Sequence, residues 1–337
     1  MAGSPGVPER WIERVLAERD GGLFEPGRCS FGHVEPGEEF CRGFDYEYHT
    51  LRDEFRGVVC PRCGAWYLDP RPAEKLFPLI YPETYSAYEM SDESGTGRGL
   101  AFRAKSWLER RKIRRYARFV RALDGDVLDV GCADGLLLDG FAQEGFPRQG
   151  LVGVDFHPTA IRLTCSKGYQ AVEGRFEDVE LEPSRYRLVV MNQLIEHMVD
   201  PLEALRKLQT ILAPGGYAFL ETPNIRSPNA RLARRRYWGG YHYPRHLHLF
   251  SAETMTRMVE QAGLQVVEIR FVPCPVQWIV TINSCLQEWK RPPQWLLRFT
   301  DWRNPLLLGI FTALDLVLMP LGTANMQVVC RRPVEPV

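Results

Sequence analysis

The 337-residue chain has no net charge, because 42 lysines and arginines are balanced by 42 aspartates and glutamates. No global field therefore draws it to nucleic acid, and no nucleic-acid partner is expected. Cysteine is sparse and scattered, nine residues in all. That does not suit a disulfide scaffold, and a reduced cytoplasm is the simpler expectation for location. No secretory signal pattern is read at the start: Met1-Ala-Gly-Ser-Pro5 is polar and leads into a charged, helix-like stretch from Trp11 to Arg19. The most apolar run, Leu306 to Leu321, is nearly long enough to span a bilayer but is interrupted by Asp315. Length suits two domains, or one with large additions.

What the chain does have is a glycine turn, Val127-Leu-Asp-Val-Gly-Cys-Ala-Asp-Gly135, with Asp155 ending the next apolar run. An apolar strand that hands over to a helix through Gly-x-Ala-x-Gly brings its backbone close to a ligand, and Gly131 and Gly135 carry no side chain to obstruct it. A dinucleotide site asks for a third glycine and an uncharged turn facing a pyrophosphate. Here Leu136 stands at the third glycine position and Asp134 would repel phosphate. The turn suits a phosphate-free cofactor with a positive sulfonium, and Asp155 suits two ribose hydroxyls.

On these residues the chain resembles the class I S-adenosylmethionine (SAM) methyltransferases. The likeness runs on for about a hundred residues: Phe176-Glu177, then Arg187 to Pro201, then Leu212 to Asn224. It implies an α/β fold with a Rossmann-like seven-stranded sheet, in which Asp129 opens the cofactor-binding motif and Gly131, Ala133 and Gly135 pass close to the methionine part. Asp155 then holds the ribose, Phe156 and Phe176 flank adenine, Glu177 accepts from the adenine amino group, and Asn192 sits at the end of the fourth strand.

The periodicity predicts strands at about 126–130, 150–154, 169–173, 187–191, 216–221 and 265–272, with a last, antiparallel strand at Met326–Arg331. Helices are predicted at about 135–144, 158–167 and 201–212, and another opens at Ser251. Alternation of this kind makes a parallel sheet with ligands beyond the strand C-termini. We divide the chain into an N-terminal helical extension (1–24), a zinc-ribbon-like domain (25–90), and a linker with a basic amphipathic helix (91–125). The SAM-binding core (126–272), an apolar lid or insertion (273–325), and the last strand with its tail (326–337) follow. In the basic helix, Ile113, Tyr116, Val120 and Leu123 recur at helical spacing among six arginines and lysines. A second cluster is at Arg231, Arg234, Arg235 and Arg236. Solvated helix faces, or attraction to phosphates, would account for both. The insertion is expected to be a helical lid or an interfacial patch, with peripheral membrane contact, rather than a transmembrane helix.

Cys60-Pro-Arg-Cys63-Gly64 is a knuckle whose two thiolates can meet one tetrahedral metal. Cys29 and His33 are the expected second pair for Zn2+, with Cys41 and His49 in reserve. A lone Cys-x-x-Cys can also be redox-active, but no strand-to-helix pattern surrounds this one. The segment resembles the zinc-binding N-terminal domain that precedes some bacterial methyltransferase domains, with Gly32 where that family has a cysteine.

Two histidines are candidates for the base: His197, after the fourth strand, and His246, within the dense group Tyr241 to Ser251. A metal on His246 and His248, on one face of a strand, is an alternative. The group is similar to the acceptor wall of sugar C-methyltransferases, where a Glu-His pair is catalytic. Aligned on Phe250-Ser251, His246 matches that histidine and Arg245 replaces the glutamate, which suits an anionic acceptor. The expected function is SAM-dependent methylation of a small molecule, whether natural product, sugar or lipid-like. RNA methylation and a non-catalytic SAM-binding scaffold remain as alternatives.

Overall fold

Short apolar runs that end in an acid or amide form the centre of the sheet. The computed structural model describes residues 22–82, 85, 100–233, 235–289 and 291–334. The helix expected over Trp11–Arg19, the linker expected at 91–99 and Arg234 lie outside the described residues.

The N-terminal region forms β1 (Phe24–Glu25), β2 (Glu38–Gly43), β3 (Phe55–Val59), β4 (Trp66–Leu68), β5 (Arg71–Pro72) and the short helix α1 (Phe77–Ile80). Helix α2 (Leu100–Val120) follows. Then come β6 (Asp126–Val130), α3 (Leu136–Gln143), β7 (Leu151–Asp155), α4 (Pro158–Ser166), β8 (Gln170–Glu173), β9 (Tyr186–Asn192), α5 (Pro201–Ile211) and β10 (Leu212–Pro223). Beyond these lie α6 (Pro228–Leu232), β11 (His248–Leu249), α7 (Ala252–Gln261), β12 (Gln265–Val272), α8 (Pro275–Gln287), α9 (Gln294–Phe299), α10 (Pro305–Leu318) and β13 (Asn325–Arg331).

The large sheet has seven strands in the order β12-β13-β10-β9-β6-β7-β8. Only β13 runs antiparallel, between β10 and β12. Central strands such as β7 are buried along their whole length, as strands covered by helices on both faces must be. Val130 pairs with Val154 on one side and Met191 on the other. The chain therefore leaves β6, β7 and β9 at one level, and Gly131, Asp155 and Asn192 emerge together. The helices start where their capping chemistry dictates. Asp200 accepts from Glu203 N at the start of α5, and Ser251 and Thr254 form a capping box for α7.

A second sheet has the order β11-β4-β3-β2. Its outer strand comes from the core segment, with His248 paired to Tyr67 and Leu249 to Trp66. Trp66, Leu68 and Phe55 share one apolar cluster with Trp238, Tyr241, Tyr243 and Leu249. The region expected as a zinc-ribbon-like domain keeps a small cluster of its own around Cys29, Val58, Cys60 and Tyr67, but completes its sheet and its larger cluster with residues 230–249.

Ile113, Tyr116 and Val120 of α2 are buried against the sheet, while Leu123 follows the helix end and is half-buried. Several of the basic residues are held in ion pairs. Arg114 bonds Glu144, Arg115 bonds Glu268, and Arg236 bonds Glu288. The segment between β12 and β13 folds into α8, α9 and α10. No described helix is long and apolar enough to cross a membrane.

Candidate active site

The glycine turn owes its shape to backbone conformation. Gly131 and Gly135 both have φ of +76°, where a side chain would be strained, whereas a Cβ at Gly131 would meet Leu194 only at ordinary contact distance. Ala133 adopts φ +45° without being glycine. Its amide donates to Asp155 Oδ2 at 3.0 Å, and its carbonyl accepts from Thr164 Oγ1 at 3.1 Å. These bonds offset the cost of a left-handed alanine, about 1 kcal/mol or more. Asp155 Oδ1 accepts from His157 N at 2.9 Å. Burial raises its carboxyl above the ordinary aspartate value despite these bonds.

A cavity of about 840 Å³ opens at this level. Gly131, Ala133, Asp155, Phe156, Phe176, Glu177 and Asn192 line it, and so does His197. Three expected residues do not. Gly135 caps α3 behind the turn. Asp129 lies beneath the wall, where burial and then the neighbouring Asp155 push its carboxyl well up. His246 stands behind His197, with ring centroids 4.7 Å apart. Among the described residues the insertion 273–325 contributes none of the lining. From the N-terminal region, Phe77, Tyr81 and Tyr85 form part of the wall, and Tyr81 packs edge-on against Phe156 at 5.8 Å. At another part of the wall, Lys112 of α2 bonds Glu221 at 2.8 Å.

The histidines form a buried group. His197 Nδ1 lies 3.1 Å from the Arg245 carbonyl and 2.9 Å from the Tyr81 hydroxyl. His246 Nδ1 lies 2.8 Å from the Gly240 carbonyl. A carbonyl only accepts, so each Nδ1 carries the hydrogen and each Nε2 keeps its lone pair. Burial lowers the basicity of both rings, His197 to about 3. Glu196 is fully buried beside them, and its Oε1 is 3.9 Å from His246 Nε2. Its Oε2 accepts from Thr222 Oγ1 at 2.9 Å, while Oε1 has no hydrogen-bond partner. Burial raises its carboxyl to about 8. One donor atom from each of Glu196, His197 and His246 lies within 4.8 Å of the others.

Two readings of the histidine-rich stretch change here. His248 turns away from His246 and bonds Ser30 Oγ at 2.8 Å, so the two do not share a metal. Arg245 does not face an acceptor: it is wholly buried and paired with Asp45. Glu196, Tyr81 and the paired Asp45 are the residues that sequence reasoning passed over. Glu196 stood in plain view beside His197, but nothing local showed that it would face His246.

The N-terminal knuckle brings Cys29, His33, Cys60 and Cys63 together, with their donor atoms within 4.8 Å of one another. Cys29 and Cys63 sulfurs are 3.4 Å apart, and His33 Nδ1 is 3.5 Å from Cys60 Sγ and 3.6 Å from Cys29 Sγ. The reserve Cys41 lies elsewhere, its sulfur 3.0 Å from the Tyr243 hydroxyl. The other reserve, His49, is likewise not part of the cluster.

A family profile described as a methyltransferase domain matches residues 104–269. The ubiquinone biosynthesis O-methyltransferase of Leptothrix cholodnii is 31% identical over 122 residues, 34% of this chain and 50% of that protein. Its namesake in Nitrosospira multiformis is 30% identical over 168 residues, 45% of this chain and 67% of that protein. The chain thus spans about half the length of the first relative and two thirds of the second. A solved SAM-dependent methyltransferase from Archaeoglobus fulgidus aligns over 70% of this chain and 96% of its own at 21% identity, with a TM-score of 0.45. With its glycine turn, the acid that ends the next strand and the antiparallel strand β13 all in place, the chain belongs to the class I SAM-dependent methyltransferases.

Proposed function

We propose that the chain methylates a hydroxyl of a small, largely apolar acceptor, using SAM. One observation carries this reading: Gly131, Asp155 and Asn192 share a single cavity with an imidazole, His197, whose Nε2 holds a lone pair. The relatives are named for O-methylation in ubiquinone biosynthesis, which supports oxygen as the acceptor atom. Phe77, Tyr81, Tyr85 and Met198 on the wall favour an aromatic or lipid-like acceptor.

The residues present fit SAM. Asp155 would hold the ribose, Phe156 and Phe176 would flank adenine, and Glu177 would meet its amino group. Asn192 Oδ1 is buried without a hydrogen-bond partner and suits the methionine ammonium. When bound, SAM supplies a methyl already activated by the sulfonium. The protein's share is alignment and proton removal. His197 Nε2, which keeps its lone pair, would take the proton of the acceptor hydroxyl. Above about pH 8, where Glu196 is ionised, its carboxylate would stabilise the resulting imidazolium, with His246 beside both. The carboxylate missing at position 245 is supplied from position 196.

The four N-terminal donors fit a structural zinc. With bonds of about 2.3 Å to sulfur and 2.0–2.1 Å to nitrogen, a tetrahedral ion sets S–S near ~3.8 Å and S–N near ~3.5 Å. All four positions would be filled by protein, so its role is to hold the knuckle and, through β4 and β11, the histidine segment.

The test is turnover by the purified chain with SAM across phenols, sugars and lipid-like alcohols, read as S-adenosylhomocysteine release and product mass. Phenols or apolar alcohols should be methylated. SAM binding without turnover on any of them would overturn the enzymatic reading.

A further inference from the structure

The helical segment between β12 and β13 is built inside out. In α10 the one charged side chain, Asp315, is only 1% exposed. Its Oδ1 accepts from Trp278 Nε1 at 2.8 Å, and its Oδ2 accepts from the Cys274 amide at 2.7 Å. Phe311 lies on the same inner side, its ring stacked on Trp278 at 5.8 Å. The outer side presents Leu306, Ile310, Leu314, Leu316 and Val317, the last 75% exposed. From Pro305 to Leu318 the only polar side chains are Thr312 and Asp315, and neither is exposed. The surface continues along α9, where Trp295 is 69% exposed. An apolar helix face this complete marks a contact, because a water-facing helix carries its polar residues outward.

We infer that α9 and α10 rest on a phospholipid bilayer with anionic headgroups, the outer face of α10 sunk into the boundary between headgroups and acyl chains. The rim argues for lipid over a second protein. Trp295 and Trp302 are exposed beside Arg291, Arg298 and Arg303, and the Arg303 guanidinium lies 4.8 Å from the Trp302 ring centroid. Residues 289–304 hold four basic residues against one acid. Tryptophan rings with a polar edge, next to cations on long apolar stems, are what an interface with anionic lipid selects. At 14 residues, α10 is roughly 21 Å long and suited to lying flat. This surface shares no lining residue with the cavity, so the inference stands apart from the methylation reading.

Flotation of the full chain with phosphatidylcholine vesicles, with and without phosphatidylglycerol, tests it. The protein should float with the anionic vesicles, and less so as salt rises. Replacing Ile310 and Leu314 by glutamate should lower the bound fraction roughly tenfold or more, with the thermal melt unchanged because both side chains are exposed. Arg298→Glu with Arg303→Glu should remove the gain that phosphatidylglycerol brings. Two results would overturn the inference: wild-type protein that stays unbound with both vesicle types, or a lipid-free dimer in sedimentation velocity that Ile310→Glu converts to monomer, which assigns the face to a second copy.

Discussion

Arg245 grips Asp45 with two parallel bonds, Nη1 to Oδ1 at 3.0 Å and Nη2 to Oδ2 at 3.1 Å, in a site closed to solvent. Its Nε donates to the Ile80 carbonyl at 2.6 Å, and the Tyr48 ring lies 4.3 Å away. The pair ties the N-terminal region to the histidine segment. Asp45→Ala leaves a buried guanidinium uncompensated and should cost about 3–5 kcal/mol. A denaturant titration measures it, and a cost under about 1 kcal/mol would mean the pair does not brace the site.

Asp155 bridges the glycine turn and the cavity. Asp155→Ala should weaken SAM binding by roughly 10- to 100-fold, the value of a charged hydrogen-bonding group. Calorimetry reads this directly, and an unchanged affinity would remove Asp155 from the cofactor site.

His197 is on the cavity wall and His246 is behind it. His197→Ala should lower kcat by roughly 10²- to 10⁴-fold, the usual worth of general base catalysis. His246→Ala should cost less, and neither should alter SAM affinity more than a few-fold. Equal losses from both, with acceptor KM unchanged, would mean that the two rings act as one unit.

Glu196 makes stability depend on pH. Its folded carboxyl is raised to about 8 from 4.5, so its contribution is full below the unfolded value and is lost as pH rises through 8. His197 is lowered to about 3 from 6.5, so its contribution is lost as pH falls below 6.5. Between pH 6.5 and 8 the Glu196 effect adds to that of other buried acids such as Asp129, whose carboxyl is also pushed well up. Glu196 should contribute a fall of ~2 kcal/mol there, so the wild-type profile should be steeper than that of Glu196→Gln by about that amount. Parallel profiles for the two proteins would refute the assignment.

Metal analysis should find about one zinc per chain, and Cys60→Ser should lose it. Chelation should lower the melting temperature and slow turnover, since the knuckle carries the strand that pairs with β11. Full activity after complete removal would separate the knuckle from the active site.

The core was legible because its signals are local. Predicted strands at 126–130 and 265–272 match β6 and β12 in both bounds, and the helix expected from Ser251 begins at Ala252. Apolar period and caps need no distant partner. Cys29 and His33 were reachable from spacing, since a knuckle needs a second pair. What failed depended on distant contacts. The charge at Arg245 read as a ligand for an anionic acceptor until Asp45, 200 residues earlier, met it. The apolar insertion read as a helical lid or an interfacial patch, and none of its described residues lines the cavity, whose wall includes Phe77, Tyr81 and Tyr85.

The order of residues alone determined the sheet, the glycine bend and the acid that follows it, because strand burial and turn conformation are settled within a few residues of chain. Tertiary structure alone decided which histidine faces the cavity, which carboxylate stands behind it, and that the N-terminal region shares its core with the catalytic domain. Those outcomes depend on which side chains meet across long loops, and packing and the desolvation of charge set them only once the chain is folded.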